Sequence, residues 1–264
     1  MIDAFIGRRL PSPRGSASLP DVSSDSADPL ARLASLEGVS SAMASARDGI
    51  DVLLRDRGLR RTPPELTAES LLRGAHASAV LEGAGSSLED LRSGAADETA
   101  QAALRVSAEL LALVPALGRS PLQAFARLHT LAGKGVVADD DLGRPRDGAS
   151  ADRMTGLASL LVSDTAAPAL VVAAVVHAEL ATVAPFVSHN GLVARAAERL
   201  VLVARGVDPK SLVVPEAGHL ALRKEYESNL RGYRDGGSAG VHSWLLYAAE
   251  GFAAGAEASP VTRG

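Results

Sequence analysis

The residues best suited to chemistry lie in one short stretch, Ser188-His189-Asn190-Gly191, with Arg195 four positions beyond the glycine. An Asn-Gly step that opens a helix leaves a concave group of backbone N–H donors. The partial positive charge of the helix start is added there, so the turn suits an anion or a phosphate. Gly191 and Arg195 share one helical face at this spacing, which lets the guanidinium reach an anion held at the turn. Ser188 and His189 offer a hydroxyl and an imidazole beside it. His189 has a plainer reading as an N-terminal capping or exposed residue.

Two apolar helical runs must position this turn, Ala167 to Val183 before it and Leu192 to Val203 after it. Elsewhere apolar periodicity near 3.6 residues predicts helices over 29–36, 39–57, 67–76, 88–94, 97–114, 121–133, 152–162, 168–183, 190–205, 219–232 and 238–254. Thr67 is a plausible cap with Glu69 and Ser70 in its first turn, and Ser120 precedes a proline at the first helical position. A polar, turn-rich loop is expected over 135–150. Residues 1–28, rich in Ser, Pro and Asp, are expected to be a flexible leader, and 256–264 a flexible tail. The stretch between, 29–255, reads as one all-α domain.

Composition points the same way. The 264 residues are 47% apolar but only 3% aromatic, and strand-type runs are scarce. A net charge of −4 gives no basic footprint for nucleic acid. The absence of cysteine rules out disulfides and thiolate nucleophiles or metal ligands. Arg8 and Arg9 are not followed by a signal-type apolar stretch, and the 167–183 run is broken by His177 and Glu179. These features predict a soluble, cytoplasmic protein without membrane partners.

The stretch Ala184-Pro-Phe-Val-Ser-His-Asn-Gly-Leu-Val-Ala-Arg195 resembles the signature of the Fic family, His-Pro-Phe-x-[Asp/Glu]-Gly-Asn-Gly-Arg-x-x-Arg. The resemblance implies a Fic-like helical domain with a helical pair around the signature turn. It also implies ATP, or another nucleotide, as ligand and AMP transfer as the family's usual reaction. Aligned on Pro185 and Phe186, the general-base position is Ala184, whose methyl group cannot accept a proton. The metal position is Ser188, a weak ligand where Mg²⁺ prefers a carboxylate. The first arginine position is Leu192, so one phosphate clamp is missing. Phe186, Asn190, Gly191 and Arg195 remain, and His189 replaces a small residue. His177 matches a histidine of the family's preceding helix and reads as a core residue.

A second match lies upstream. Ser78-Ala-Val-Leu-Glu82-Gly83 fits the family's inhibitory motif, [Ser/Thr]-x-x-x-Glu-[Gly/Asn]. The resemblance implies that Glu82 pairs with Arg195, the second arginine of the signature, and blocks the nucleotide. Leu142-Gly-Arg-Pro-Arg146 resembles the segment before the family's β-hairpin flap. Residues 147–155 run straight into a helical pattern, so the flap is expected to be reduced or absent.

Three further patterns carry less. Asp139-Asp140-Asp141 reads as a solvated loop. Gly83-Ala-Gly85 lacks the third glycine and the βαβ setting of a dinucleotide fingerprint. A His177–Glu179–His189 metal cluster lacks a recognised ligand spacing, so no metal site is expected.

Two functions follow. The first is a degenerate Fic-fold protein without AMP transfer, a binding or regulatory module that keeps its anion turn. Its partner would be another protein or a small phosphorylated ligand, and a homodimer is compatible with it. The alternative is a nucleotide- or phosphate-dependent transferase using non-standard residues such as Ser188 and His189.

Overall fold

A computed structural model describes residues 28–55 and 63–261. The expected leader therefore lies outside the described residues except for Asp28. That residue caps the first helix, its carboxylate accepting from the Leu30 and Ala31 amides at 3.1 and 3.0 Å. The described residues form helices and turns, with no β-strand among them.

The elements are α1 Pro29–Ala34, α2 Val39–Leu54, α3 Pro64–Leu81, α4 Leu88–Ser93, α5 Glu98–Glu109, a 3₁₀ turn Leu110–Leu113, α6 Val114–Arg119, α7 Pro121–Gly133, α8 Gly148–Val162, α9 Ala169–Val183, α10 Asn190–Ala204, α11 Pro215–Ala221, α12 Arg223–Asp235 and α13 Gly237–Glu257. At the centre α9 packs along α10, and the other helices wrap this pair. The central position explains the sequence of α9. Eleven of its residues, Leu170 through Leu180, are buried, so it is apolar nearly all round, with no polar stripe.

The periodicity placed most elements but shifted several ends. Helix α3 starts at Pro64, three residues before Thr67, with proline in its first turn. Thr67 caps nothing, and its hydroxyl donates to the Lys210 carbonyl at 2.9 Å. The longer α3 carries Ser78 within it and Glu82 at its C-cap. Gly83 follows with φ of +92°, a left-handed turn that ends the helix and suits a residue without Cβ. Ser120 stands at the N-cap of α7 but makes no side-chain cap bond. The expected helix 219–232 is two helices, α11 and α12, parted at Leu222. Helix α13 runs on through Glu257.

Residues 134–147 hold turns, and Asp147 caps α8 at once, its carboxylate accepting from Ser150 N–H at 2.7 Å. No β-hairpin flap stands there. Glu98–Arg119 is the one stretch among the described residues long and apolar enough to cross a membrane by composition. Its residues Ala100, Ala103, Val106, Leu110 and Leu117 are core residues of the bundle instead.

Candidate functional site

The turn between α9 and α10 is built by an asparagine clamp. Asn190 Oδ1 accepts from the Phe186 amide and Nδ2 donates to the Phe186 carbonyl, both at 2.9 Å. This closes residues 186–190 into a rigid loop. Phe186 is buried and stacks on His129 with centroids 4.3 Å apart and planes 6° apart. His129 Nδ1 in turn accepts from the Gly143 amide at 2.9 Å. Burial, with His189 nearby, pushes the His129 imidazole down to about 4, so the ring is neutral.

Both ends of the loop sit in the left-handed region, Ala184 at φ +47° and His189 at φ +56°. Such conformations cost roughly 1–3 kcal/mol each in a non-glycine residue and persist where surrounding contacts impose them. Here the Asn190 clamp and the Arg146 N–H bond to the Pro185 carbonyl at 2.8 Å do so. His189 occupies the N-cap of α10 without a side-chain cap bond, so the first amides of that helix have no side-chain acceptor from it. Its Nδ1 instead lies 2.7 Å from the Ser188 hydroxyl. Burial lowers the His189 pKa, and Glu82 opposes that.

The Glu82 carboxylate lies between Gly191 and Arg195. A Cβ built on Gly191 would collide with its Oε1, so the carboxylate rests directly on the first turn of α10. Only glycine allows that approach. Arg195 Nη2 donates to the same Oε1 at 2.6 Å. The guanidinium is otherwise held from all sides. Nε donates to Ser78 Oγ at 2.8 Å, Nη2 to the Ser78 carbonyl at 3.1 Å, and Nη1 to the Tyr226 hydroxyl at 3.1 Å. Its side chain is 2% exposed, whereas that of Glu82 is 32% exposed. The carboxylate thus closes the site from the solvent side.

Behind the arginine lies a buried polar row. The Tyr226 hydroxyl is 2.9 Å from His177 Nε2, and His177 Nδ1 is 3.0 Å from Glu198 Oε1. Glu198 Oε2 is 2.9 Å from His219 Nε2, and His219 Nδ1 is 2.9 Å from the Tyr247 hydroxyl. Burial would raise the Glu198 pKa, but the two imidazoles outweigh it and the group stays a carboxylate. Burial lowers the His177 pKa against the pull of Glu198, so this ring is neutral.

The structure thus brings Ser78, Glu82, Gly191 and Arg195 together, the residues that the two motif matches singled out. Ser188 and His189 pair with each other beside them, and the Asn190 side chain is occupied by Phe186 rather than aimed at a ligand. His177 and Glu179 part company. Glu179 accepts from Arg153 at 2.7 Å and from the Tyr233 hydroxyl at 2.8 Å. Sequence reading missed Tyr226, Glu198 and His219, which reach the site from α12, α10 and α11.

No family model and no curated protein matches the chain by sequence. Solved structures do match by shape. A Fic family protein from Desulfovibrio desulfuricans G20 superposes with a TM-score of 0.70 at 17% identity, covering 85% of this chain and 74% of that one. A fragment of Fic-1 from C. elegans does so with 0.65, again at 17% identity, over 83% and 71%. This chain has the Fic fold. The Fic fold implies Mg²⁺ and a nucleotide at the signature turn, and the residues present do not fit them as they stand. Ser188 offers a hydroxyl bonded to His189 where a carboxylate would be needed, and Leu192 is buried at the position of the signature's first arginine. The carboxylate of Glu82 fills the cradle itself.

Proposed function

We propose that this Fic-fold chain has no AMP-transferase activity and serves as a binding or regulatory module with a latched anion site. One observation carries the reading: the cradle at Gly191 and Arg195 is occupied by the chain's own Glu82, while the residue at the signature's base position is Ala184. A methyl group leaves no proton acceptor at that point, so an anion that displaced Glu82 would be held but not turned over. The ligand is then a phosphorylated small molecule, or an acidic group on a protein partner, in the cytoplasm.

Calorimetric titration with ATP, ADP and GTP, with and without Mg²⁺, tests this. The expected outcome is weak or no binding by the native chain and clear, Mg²⁺-independent binding by Glu82→Gly. Radiolabelled AMP transfer above background by either protein would overturn the proposal.

A second reading rests on the 2.7 Å contact between Ser188 Oγ and His189 Nδ1. That pair would make the site a nucleotide- or phosphate-dependent transferase with a serine nucleophile and a histidine base. Mg²⁺-dependent nucleotide binding, lost in Ser188→Ala, would favour it.

A further inference from the structure

We propose that His177, Glu198 and His219 form a closed site for one divalent transition-metal ion, zinc by preference, in the core behind the latch. The three residues come from α9, α10 and α11 and their side chains have no solvent exposure. One donor atom from each lies within 4.8 Å of the other two. The two imidazoles flank one carboxylate, at 3.0 Å from Oε1 and 2.9 Å from Oε2. Two donors about 2.0 Å from a tetrahedral ion stand roughly 3.3 Å apart, so the close contacts must open a little and the widest pair must draw together.

A second observation points to a cation. His177 Nδ1 and Glu198 Oε1 are fully buried and 3.0 Å apart, but the contact between them is poorly aligned as a hydrogen bond. A buried polar pair satisfied only by such a contact is costly, and native cores tend to avoid it. An ion between them and His219 Nε2 satisfies both at once. The outer nitrogens are also arranged as ligating histidines require. His177 Nε2 and His219 Nδ1 each rest 2.9 Å from a tyrosine hydroxyl, Tyr226 and Tyr247. With metal on the inner nitrogen, each ring keeps its single hydrogen on the outer one and donates it to the tyrosine oxygen, which fixes tautomer and ring plane.

The donor chemistry selects the ion. Two imidazole nitrogens and a carboxylate oxygen are donors of the kind zinc accepts, and the set lacks the oxygen-rich shell of Ca²⁺ or Mg²⁺. Trp244 lies edge-on to His177 at 5.3 Å between centroids and helps to keep the site dry. Such a closed site acts structurally, tying three helices together. Because Tyr226 also receives a hydrogen bond from Arg195, it adjoins the latch without being part of it.

The test uses the full chain purified without chelator from cells grown in zinc-supplemented medium. Elemental analysis should give about one equivalent of zinc per chain, since structural sites of this kind fill during folding. Cells supplied with cobalt should give protein with the visible absorption of a tetrahedral Co²⁺ site. Glu198→Gln and His219→Asn should lose metal and colour, while His242→Asn, on a histidine outside the cluster, should keep both. Because the first two could fail to fold, Tyr247→Phe supplies a milder probe. It should stay folded and lose metal to a competing chelator about 10–100-fold more readily than the native chain. Native protein that carries no bound metal from either medium, or metal retained equally by Glu198→Gln, His219→Asn and Tyr247→Phe, would overturn the proposal in favour of a purely hydrogen-bonded triad.

Discussion

Helix α10 carries two buried arginines four residues apart, and they are held in different ways. Arg199 is enclosed. It donates from Nε to Ser211 Oγ at 2.7 Å, from Nη2 to the Ser211 carbonyl at 3.0 Å, and from Nη1 to Glu216 Oε2 at 3.1 Å. Its side chain and that of Glu216 are 1% and 5% exposed. Arg195 has equally buried neutral partners, but its carboxylate comes from the rim, 32% exposed, and lies on the glycine turn. The same chemical pair is thus enclosed in one place and open to solvent on its acidic side in the other. What separates them is whether water, or another anion, can replace the glutamate without opening the core.

Replacing Glu216 by Ala should have the largest effect. It strands a guanidinium in the core and should cost about 3–5 kcal/mol of unfolding free energy by chemical denaturation, with no gain in anion binding. Glu82→Ala should cost less, about 2 kcal/mol, because water and buffer anions reach Arg195 once the cover is gone. Its loss should shrink in added phosphate, and that of Glu216→Ala should not. Equal, salt-independent losses would erase the distinction between the two pairs.

The latch end should also respond to pH through His129. Its imidazole binds a proton near 6.5 when unfolded but only near 4 when folded. The stability it supports is therefore complete above about pH 6.5 and lost as pH falls toward 4, by about 1 kcal/mol after allowance for screening. Urea unfolding at pH 7.5 and 5 should show a smaller drop in His129→Gln than in the native chain. At the small end, Arg234→Ala removes an exposed pair with Asp235 and should leave the melting curve unchanged, which marks the noise against which the others are read.

Local signals made much of this legible. Proline at the first turn of α7 and the 3.6-residue apolar periodicity both act within a few residues. So does the i, i+4 relation of Gly191 and Arg195. The Glu82–Arg195 pair spans a long separation and was reached through a motif match rather than through physics. The misreadings have physical reasons too. Asn190 was read for its backbone in the turn, and the clamp its side chain makes on Phe186 went unread, although an amide beside a tight turn often bonds nearby backbone. The break at Leu222 was hidden because α11 and α12 share an unbroken helical pattern. Glu198 and His219 were invisible as a pair because nothing in sequence spacing says that α11 folds back over α9. Only the packing of three helices brings their side chains to His177.

If Glu82 occupies a working anion site, calorimetric titration of inorganic pyrophosphate should separate the native chain from Glu82→Gly. The variant should bind at least tenfold more tightly, by about 1.4 kcal/mol or more, and the gain should be abolished when Arg195→Leu is added. Equal affinities in the native chain and Glu82→Gly, or a gain that survives the loss of Arg195, would contradict an anion site there.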